Sequence, residues 1–402
     1  MSNFEQSYFN KRRVEELLTT YRDGLLEDVL PFWINHSVDK EFGGFMFCLN
    51  RDGSIIDTDK GMWQTCRFTW LLATLYNTVE KKSEWLALAK HGIDFIQKYG
   101  FDDDGRMFFL VDREGKPVRK RRYVFTETFA AIAFAAYSKA ANDSEAAKQA
   151  KSLFELISRY ATTPGLIPPK FNVETRPMKS IGLPMIMLAT AQVLRETLDD
   201  TIYNEWIDRC IQEILNDFMN FDFEAVMETV GPNGEFIDHF DGRTLNPGHA
   251  IECAWFILHE AKHRGNDTEL IKMGSTMLDW MWKVGWDEEY GGIFHFRDVK
   301  GLPVQEYWQD MKFWWPQCET IIATLLAYQL TDEDKYARWH KMIHDWTYQH
   351  FPDPQFGEWL GYLHRDGRLS VPLKGNIWKG PFHIPRMQWH CWRLLEEVFQ
   401  SA

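Results

Sequence analysis

Hydrophobic residues recur at helical spacing over most of the chain. Between Val14 and Trp33 they fall at positions 17, 18, 21, 25, 29 and 32, the three-to-four residue repeat of an amphipathic helix. The following stretch changes to two short β-like runs around an Asp-Gly pair at 52–53, which is typical of a hairpin. A second helical pattern then begins near Met62. Long helices therefore alternate with short hairpins.

The same order of hairpin and helices is repeated along the chain. Five hairpin turns carry a glycine, at positions 53, 115, 234, 301 and 367. Their spacings are 62, 119, 67 and 66 residues, so a degenerate copy is expected inside the long gap, between Gly165 and Thr175. Six such units closed into a ring predict an all-α fold, an (α/α)6 barrel of about twelve helices with short β-hairpins at one end.

The sequence contains no linker that would divide it. Because no Pro-, Gly- or Ser-rich stretch or shift in composition separates the repeats, we expect one catalytic domain over residues 1–402. An open helical solenoid is the alternative architecture, but it requires polar capping repeats that the sequence does not show.

Charge and cysteine usage narrow the class of protein. The formal net charge of −13 argues against nucleic acid and against an anionic membrane surface as partners. No apolar run is long enough to span a membrane, and the segment Met1–Gln6 does not resemble a signal peptide. Six scattered cysteines in mostly apolar contexts indicate reduced core thiols. We therefore expect a cytoplasmic protein.

The stretch 246–252 has the features of a helix start with chemistry in its first turn. Asn246 can cap the helix, and Pro247 suits the first helical position. His249 then lies where the helix dipole disfavours an imidazolium, so we expect a neutral histidine able to act as a base. Glu252 lies on the same face, three residues on. The simpler alternative is a surface or packing pair without function.

Ring closure would bring the starts of the six inner helices to one mouth. The predicted lining has polar and aromatic members, which together suit a sugar: Arg67, Glu127, His249, Glu252, Glu319 and His383, with Trp63, Trp314 and Trp315 as walls. Each of these residues also has a purely structural interpretation. Arg67 could pair with a buried glutamate, Glu319 could be a carboxylate that orients a histidine, and the tryptophans could belong to the core. Three hairpin histidines, His239, His295 and His364, are interpreted as ordinary. No metal is expected, because His249 and Glu252 lack a third ligand of fitting spacing.

Several motifs in this order resemble the N-acylglucosamine 2-epimerase family, which includes the renin-binding protein. They are W-x-Q-x-x-R at 63–67, N-P-G-H-x-x-E at 246–252, M-K-x-W-W-P-x-x-E at 311–319, G-E-W-x-G-Y-L at 357–363 and K-G-x-F-H-x-P-R at 379–386. The resemblance implies an (α/α)6 barrel, usually a homodimer, that inverts C2 of a reducing sugar. It also implies His249 and His383 as the acid/base pair, with Arg67, Glu252 and Glu319 supporting them and Trp63 and Trp315 in the substrate site.

The resemblance leaves the sugar open. N-acetylglucosamine/N-acetylmannosamine is the expected pair, but Gln317 stands where the N-acylglucosamine enzymes have His and where mannose and cellobiose 2-epimerases favour Gln. Mannose and cellobiose are therefore alternatives. Some members are activated by ATP bound at a Gly-rich loop, and the region 161–177 lacks a clear copy of that loop. We expect no required cofactor, with ATP possible only as an effector.

The chemistry of C2 epimerisation fits two histidines. Once the ring is open, the C2 proton next to the aldehyde can be removed from one face and returned to the other, which needs two groups of matched pKa. The resulting enediolate needs fixed positive charge, which Arg67 and the helix starts supply. The main alternative is an inverting glycoside hydrolase that uses Glu252 and Glu319 as its carboxylates. A third reading is a protein-binding role, in which the mouth would be vestigial.

Overall fold

Two concentric rings of helices make up the computed structural model, which describes residues 8–120, 123–169 and 171–401. The inner ring consists of α3 (Met62–Thr78), α5 (Phe125–Ala141), α7 (Gly182–Leu198), α10 (Pro247–His263), α12 (Trp314–Thr331) and α14 (His383–Ser401). The outer ring consists of α1 (Lys11–Asp23) continued through a π-helical segment into α2 (Leu30–Ser37), then α4 (Ser83–Tyr99), α6 (Ser144–Thr162), α8 (Asn204–Glu213), α11 (Thr268–Gly285) and α13 (Asp334–His350). A short helix, α9 (Phe240–Arg243), precedes α10. The predicted (α/α)6 barrel is confirmed.

The ring closes where the first inner helix meets the last. Trp70 of α3 packs against Phe382 and Trp389, with ring centroids 5.5 and 6.2 Å apart. The indole Nε1 of Trp389 also donates to Thr78 Oγ1 at 3.1 Å. Outside this seam α1 packs on α14, so the N-terminal helix is the outer partner of the last inner helix. Apolar burial across the seam thus joins residues more than 300 positions apart in the chain.

Short antiparallel strands lie at the end where the inner helices begin. They are β1 (Cys48–Leu49), β2 (Ile55–Asp57), β3 (Lys60–Gly61), β4 (Phe108–Val111), β5 (Pro117–Lys120), β6 (Lys179–Ser180), β7 (Met219–Asn220), β8 (Ala225–Val226), β9 (Thr229–Val230), β10 (Thr244–Leu245), β11 (Arg297–Asp298), β12 (Lys312–Phe313), β13 (Tyr362–Leu363) and β14 (Leu369–Val371). The strands before α3, α7, α10 and α12 each pair with the next hairpin along the chain, as β3 with β4, β6 with β9, β10 with β11 and β12 with β13. Four hairpins are thereby tied to the units that precede them.

The repeated turns carry the predicted glycine geometry. All five turn glycines have positive φ, between 72° and 97°, which residues with a Cβ rarely adopt. Gly165 of the degenerate copy also has φ of 83°. In the described part of 163–178 that copy forms no strand, and only β6 remains of its hairpin. The third unit is therefore a helix pair with an irregular loop.

A buried Asp–Lys–Arg cluster recurs between neighbouring hairpins. Lys60 and Arg113 both bond Asp39, and Lys312 and Arg365 both bond Asp287. The third copy joins Asp353 and Lys374 of the last hairpin to Arg51 of the first. The carboxylate and the lysine of each copy are almost fully enclosed, so each charge has its partner where water is excluded. This third copy closes the ring of hairpins.

One hydrophobic core extends around the barrel, from Phe9 to Leu395. All six cysteines are free, and only Cys48 is partly exposed. Among the helices that the structure describes, none is both long and apolar enough to cross a membrane. The segment Met1–Gln6, for which no signal peptide is predicted, lies outside the described residues.

Candidate active site

A cavity of about 810 Å³ occupies the axis of the barrel. Every inner helix contributes a residue of its first turn to the lining: Trp63, Phe125, Gly182, His249, Trp315 and His383. Arg67 and Glu252 line it one turn deeper. The N-terminal ends of six helices therefore face one space, and their dipoles favour negative charge there.

Trp315 lies beside both candidate histidines. Its ring centroid is 5.1 Å from that of His249 and 5.9 Å from that of His383. The two imidazoles are consequently no farther apart than these two distances together, although 134 positions separate them in the chain. Gly248 makes this possible, because a Cβ there would lie 2.6 Å from the Trp315 ring.

His383 begins α14 and is oriented by a carboxylate behind it. Its Nδ1 donates to Glu319 Oε1 at 2.7 Å, which leaves Nε2 without a proton on the neutral ring. Trp255 Nε1 also donates to Glu319, at 2.8 Å. Burial, together with the nearby Arg386, holds the pKa of His383 well below its ordinary value. A neutral imidazole with a free Nε2 lone pair can accept a proton.

Glu319 itself does not line the cavity, contrary to its predicted place among substrate-binding residues. Its side chain is fully enclosed and all of its contacts here are with the protein. The alternative interpretation, a carboxylate that orients a histidine, describes the observed geometry.

His249 has a different electrostatic environment. Asn246 caps α10 as predicted, by accepting a hydrogen bond from the His249 backbone N–H at 3.2 Å. The His249 Nδ1 atom lies 3.1 Å from Glu228 Oε2. Burial alone would lower the pKa of His249, but the Glu228 carboxylate, with Glu252 and Glu319 farther away, raises it above the ordinary value. The expected direction of the shift was wrong, because a carboxylate from the hairpin that precedes α10 outweighs burial and the helix dipole.

Arg386 joins the two buried glutamates. Its Nη2 donates to Glu252 Oε1 and lies 2.7 Å from Glu319 Oε1. Glu252 was expected to support the histidine pair, but its hydrogen bond goes to Arg386, and Glu228 is the carboxylate beside His249. Ligand atoms of Glu252, Glu319 and His383 lie within 4.8 Å of one another, a spacing that also suits a metal ion. The Arg386 guanidinium already supplies positive charge to that cluster.

Arg67 lines the cavity without an anionic partner. In the described part of the chain it forms no ion pair or hydrogen bond, and its Nε is enclosed. Its guanidinium lies over the rings of Phe129 and Phe382, at 4.0 and 4.4 Å. Burial and the neighbouring charge of Arg386 lower the pKa of Arg67 to about 9. The predicted alternative, a salt bridge to a buried glutamate, is therefore wrong, and the cation is available to a ligand.

Comparison with known proteins bears directly on this arrangement. The sequence profile of the N-acylglucosamine 2-epimerase family matches residues 43–384. The N-acylglucosamine 2-epimerase of Bos taurus is 34% identical over 399 residues, covering 96% of this chain and 93% of the bovine protein. The chain belongs to the N-acylglucosamine 2-epimerase family. The predicted family and the predicted class, a carbohydrate isomerase, are confirmed.

More distant members of this group share the fold over the whole chain. The cellobiose 2-epimerase of Dictyoglomus turgidum is 23% identical over 388 residues, covering 92% of this chain and 96% of that protein. The solved structure of cellobiose 2-epimerase from Bacillus thermoamylovorans superposes with a TM-score of 0.83 at 22% identity, covering 96% of this chain and 100% of that one. At this identity the likeness shows the barrel alone.

Several site residues of this family member were missed or misplaced by sequence reasoning. Glu127, expected in the lining, instead bonds Arg106 in the adjacent hairpin at 2.7 Å. Glu228 and Arg386 were not singled out, although Arg386 ends the motif at 379–386 and Glu228 belongs to the fourth hairpin. His295 was interpreted as ordinary but lines the cavity. Packing between distant segments determines which hairpin residues face the cavity. The spacing of residues along the chain does not predict this packing.

Gln317 also has a role that the sequence did not suggest. Its amide accepts from the Ile293 N–H at 2.7 Å and donates to the Ile293 carbonyl at 2.9 Å. It is fully buried and does not line the cavity. This residue fixes the fifth hairpin to α12.

Proposed function

We propose that this protein inverts C2 of a free reducing N-acetylhexosamine, interconverting N-acetylglucosamine and N-acetylmannosamine. The observation that carries the proposal is that Trp315 lies beside two imidazoles of opposite electrostatic character, which holds both rings at one cavity. Burial and Arg386 favour the neutral form of His383, whereas Glu228 favours the protonated form of His249. One base and one acid on either side of a carbon atom are what epimerisation requires.

In the proposed reaction the open-chain sugar lies with C2 between the two rings. His383 Nε2 removes the C2 proton, and the electron pair moves into an enediolate across C1 and C2. His249 then delivers its Nε2 proton to the opposite face of C2. In the return reaction, His249 removes the C2 proton and His383 delivers one to the opposite face. In either direction, one of the two rings starts as an imidazolium and the other as a neutral imidazole. Each assisted proton transfer contributes about 10²–10⁴-fold to the rate.

Two arginines can stabilise the enediolate. Arg67 is an unpaired cation in the lining and can bond the C1 oxygen, where negative charge develops. The charge of Arg386 is balanced by Glu252 and Glu319, so its main contribution is to hold these two carboxylates in place. In a cavity with aromatic walls such fixed charges act with little screening by water.

Family membership and identity favour the N-acetylated substrate, because the relatives of highest identity described above are N-acylglucosamine 2-epimerases. Gln317 was the reason for considering mannose or cellobiose, but it contacts backbone and not the cavity. The cavity of about 810 Å³ is larger than one hexose, so a disaccharide such as cellobiose stays as the second candidate, and mannose as the third.

The geometry speaks against an inverting glycoside hydrolase. Such enzymes hold two carboxyl groups roughly 6.5–9.5 Å apart, with space for a water between them. Carboxylate oxygens of Glu252 and Glu319 lie within 4.8 Å of each other and share the Arg386 guanidinium. Glu319, moreover, has no face on the cavity.

Proton NMR in heavy water tests the proposal. The enzyme is incubated separately with N-acetylmannosamine, mannose and cellobiose, and the C2 proton signal of each sugar and of its epimer is followed. We expect deuterium at C2 of both epimers, fastest with N-acetylmannosamine. Release of glucose from cellobiose would support the hydrolase instead. No exchange and no epimer with any of the three sugars would overturn the proposal.

We further propose that the enzyme needs no cofactor, that it is a cytoplasmic homodimer and that ATP is at most an effector. The reaction balances with a proton alone, which supports the first statement. Epimerisation assays after chelator treatment and with added ATP test the cofactor proposals. Light scattering after size-exclusion chromatography tests the dimer, for which a mass close to twice 47.5 kDa is expected.

A further inference from the structure

A third histidine, His295, opens on the same cavity. It belongs to the fifth hairpin and lies beside Trp315, with ring centroids 6.1 Å apart. The charge of His249 also acts on the His295 ring, which places His295 on the His249 side of the space between the two proposed acid/base residues. A sugar held with C2 between those residues would have His295 among its neighbours.

The hydrogen-bonding state of His295 is unusual for a buried polar side chain. It bonds to no part of the chain that the structure describes. Its Nδ1 is fully enclosed and has no partner, whereas Nε2 is not enclosed and faces the cavity that the residue lines. Because no residue that the structure describes bonds Nε2, this atom is free to bond a ligand in the cavity.

The enclosure of Nδ1 determines which ring nitrogen of His295 carries the proton. A neutral imidazole has one N–H and one lone pair, and an unpaired buried N–H is the costlier of the two to enclose. The lone pair therefore belongs on Nδ1 and the N–H on Nε2, toward the cavity. Burial and the charge of His249 lower the pKa of His295 to about 3, so the ring stays neutral near pH 7. His295 is then a hydrogen-bond donor and not a third base.

The fold holds this donor rigidly. The imidazole packs against Phe296 and Phe313, with centroids 4.1 and 4.2 Å away. Two residues earlier, the backbone of Ile293 is bonded in both directions by the Gln317 amide. A donor positioned by packing and by a paired backbone loses little entropy on binding.

We propose that His295 Nε2–H donates to the carbonyl oxygen of the acetamido group on C2 of the substrate, and so selects N-acetylated sugars. This inference rests on the proposed function, because it requires C2 to lie between His249 and His383. The acetamido oxygen is the strongest neutral acceptor on such a sugar, and it is attached at the carbon that reacts. His295 would be a specificity residue without a part in proton transfer.

Binding of two ligands to matched variants tests this inference without reference to turnover. One ligand is N-acetylmannosamine, and the other is 2-deoxyglucose, which has no oxygen on C2. His295→Phe keeps the aromatic packing and removes the donor, His295→Gln retains an N–H donor, and His364→Phe changes an exposed hairpin histidine outside the lining as a control. Dissociation constants come from calorimetry, and circular dichroism checks that each variant folds.

We expect His295→Phe to weaken N-acetylmannosamine about 2- to 10-fold, the range for one hydrogen bond, and to leave 2-deoxyglucose unchanged. His295→Gln should recover part of the loss, and His364→Phe should bind both ligands like the wild type. Equal weakening of both ligands, or of neither, would overturn the inference. Deuterium exchange at C2 by the same His295→Phe protein shows separately whether the epimerase reaction itself persists.

Discussion

Nδ1 of His383 donates to Oε1 of Glu319 at 2.7 Å, and this contact sets which nitrogen of His383 faces the cavity. A carboxylate can only accept, so the ring presents an unprotonated Nε2 to the cavity. Glu319 is held in turn by Trp255 and Arg386. The lone pair that the reaction needs is thus oriented from behind by Glu319, which does not line the cavity.

Glu319→Gln tests this orientation. The amide can offer an N–H to Nδ1 and so stabilise the wrong tautomer, and we expect kcat to fall at least about 10²-fold with little change in KM. Trp255→Phe is the matched control, since it removes one donor to Glu319 and leaves the carboxylate. It should lower kcat far less. A glutamine variant whose loss lies in KM would assign Glu319 to binding.

Glu228→Gln is expected to move the pH profile. Activity requires His249 protonated while His383 is neutral, so it declines as pH rises through the pKa of His249. Glu228 raises that pKa, and its neutral replacement should shift the alkaline limb of kcat/KM to lower pH. Glu235→Gln, an exposed change in the same hairpin, is the control and should leave the limb in place. If the alkaline limb of Glu228→Gln stays where it is in the wild type, Glu228 does not control the ionisation of His249.

Arg67→Met should gain stability while it loses activity. The guanidinium lies against aromatic rings without an anion and its Nε is enclosed, which is costly in the unliganded enzyme. We expect the free energy of unfolding to rise by about 0.5–2 kcal/mol, and kcat/KM to fall at least about 10²-fold. Thermal unfolding and steady-state kinetics measure the two effects. A destabilised Arg67→Met protein would mean that the cation has a structural partner.

The cluster that closes the ring of hairpins should control acid stability. Arg51 and Lys374 hold the pKa of Asp353 well below its usual range. A depressed carboxyl pKa contributes stability above about pH 4, the unfolded value, and that contribution is lost as pH falls through the lower folded value. Lys374→Met leaves a buried carboxylate with Arg51 alone and should cost about 3–5 kcal/mol at pH 7. Arg51→Met, whose side chain is 38% exposed, should cost only about 1 kcal/mol.

Chemical denaturation at pH 7 and at several values below pH 4 compares these two variants with the wild type. The difference between Lys374→Met and the wild type should shrink below about pH 4, because the buried carboxylate left with Arg51 alone protonates at higher pH than the fully paired Asp353 of the wild type. Equal costs for the two variants, or a difference that grows in acid, would contradict this account of the closure.

The repeat made the barrel predictable because it is local. Hairpin glycines, the cap at Asn246 and the helix starts each depend on a few neighbouring residues, so the spacing of Gly53, Gly115 and their counterparts was enough to locate six inner helices. The same reasoning brought His249, His383, Arg67 and Trp315 to one mouth, since ring closure carries every inner helix start to the axis.

Contacts between segments that are distant along the chain were beyond that reasoning. The pKa of His249 shifts opposite to the expected direction because Glu228, in the fourth hairpin and 21 positions earlier, lies beside it. Glu252 bonds Arg386, which lies on α14, two places along the inner ring from α10 and 134 positions away in the chain. His295 was not predicted to line the cavity, because the sequence does not show which residues of a hairpin face it. In the structure, two hydrogen bonds between the Gln317 side chain and the Ile293 backbone fix the orientation of the fifth hairpin.

Solvent exchange by the two single-histidine variants tests the central claim, that His249 and His383 act on opposite faces of C2. His249→Asn and His383→Asn are each incubated in heavy water with pure N-acetylmannosamine and with pure N-acetylglucosamine. We predict that neither variant forms the other epimer, and that each exchanges the C2 proton of one sugar only, a different sugar for each variant. Epimerisation at the wild-type rate by either variant, or exchange of both sugars by one of them, would contradict the account.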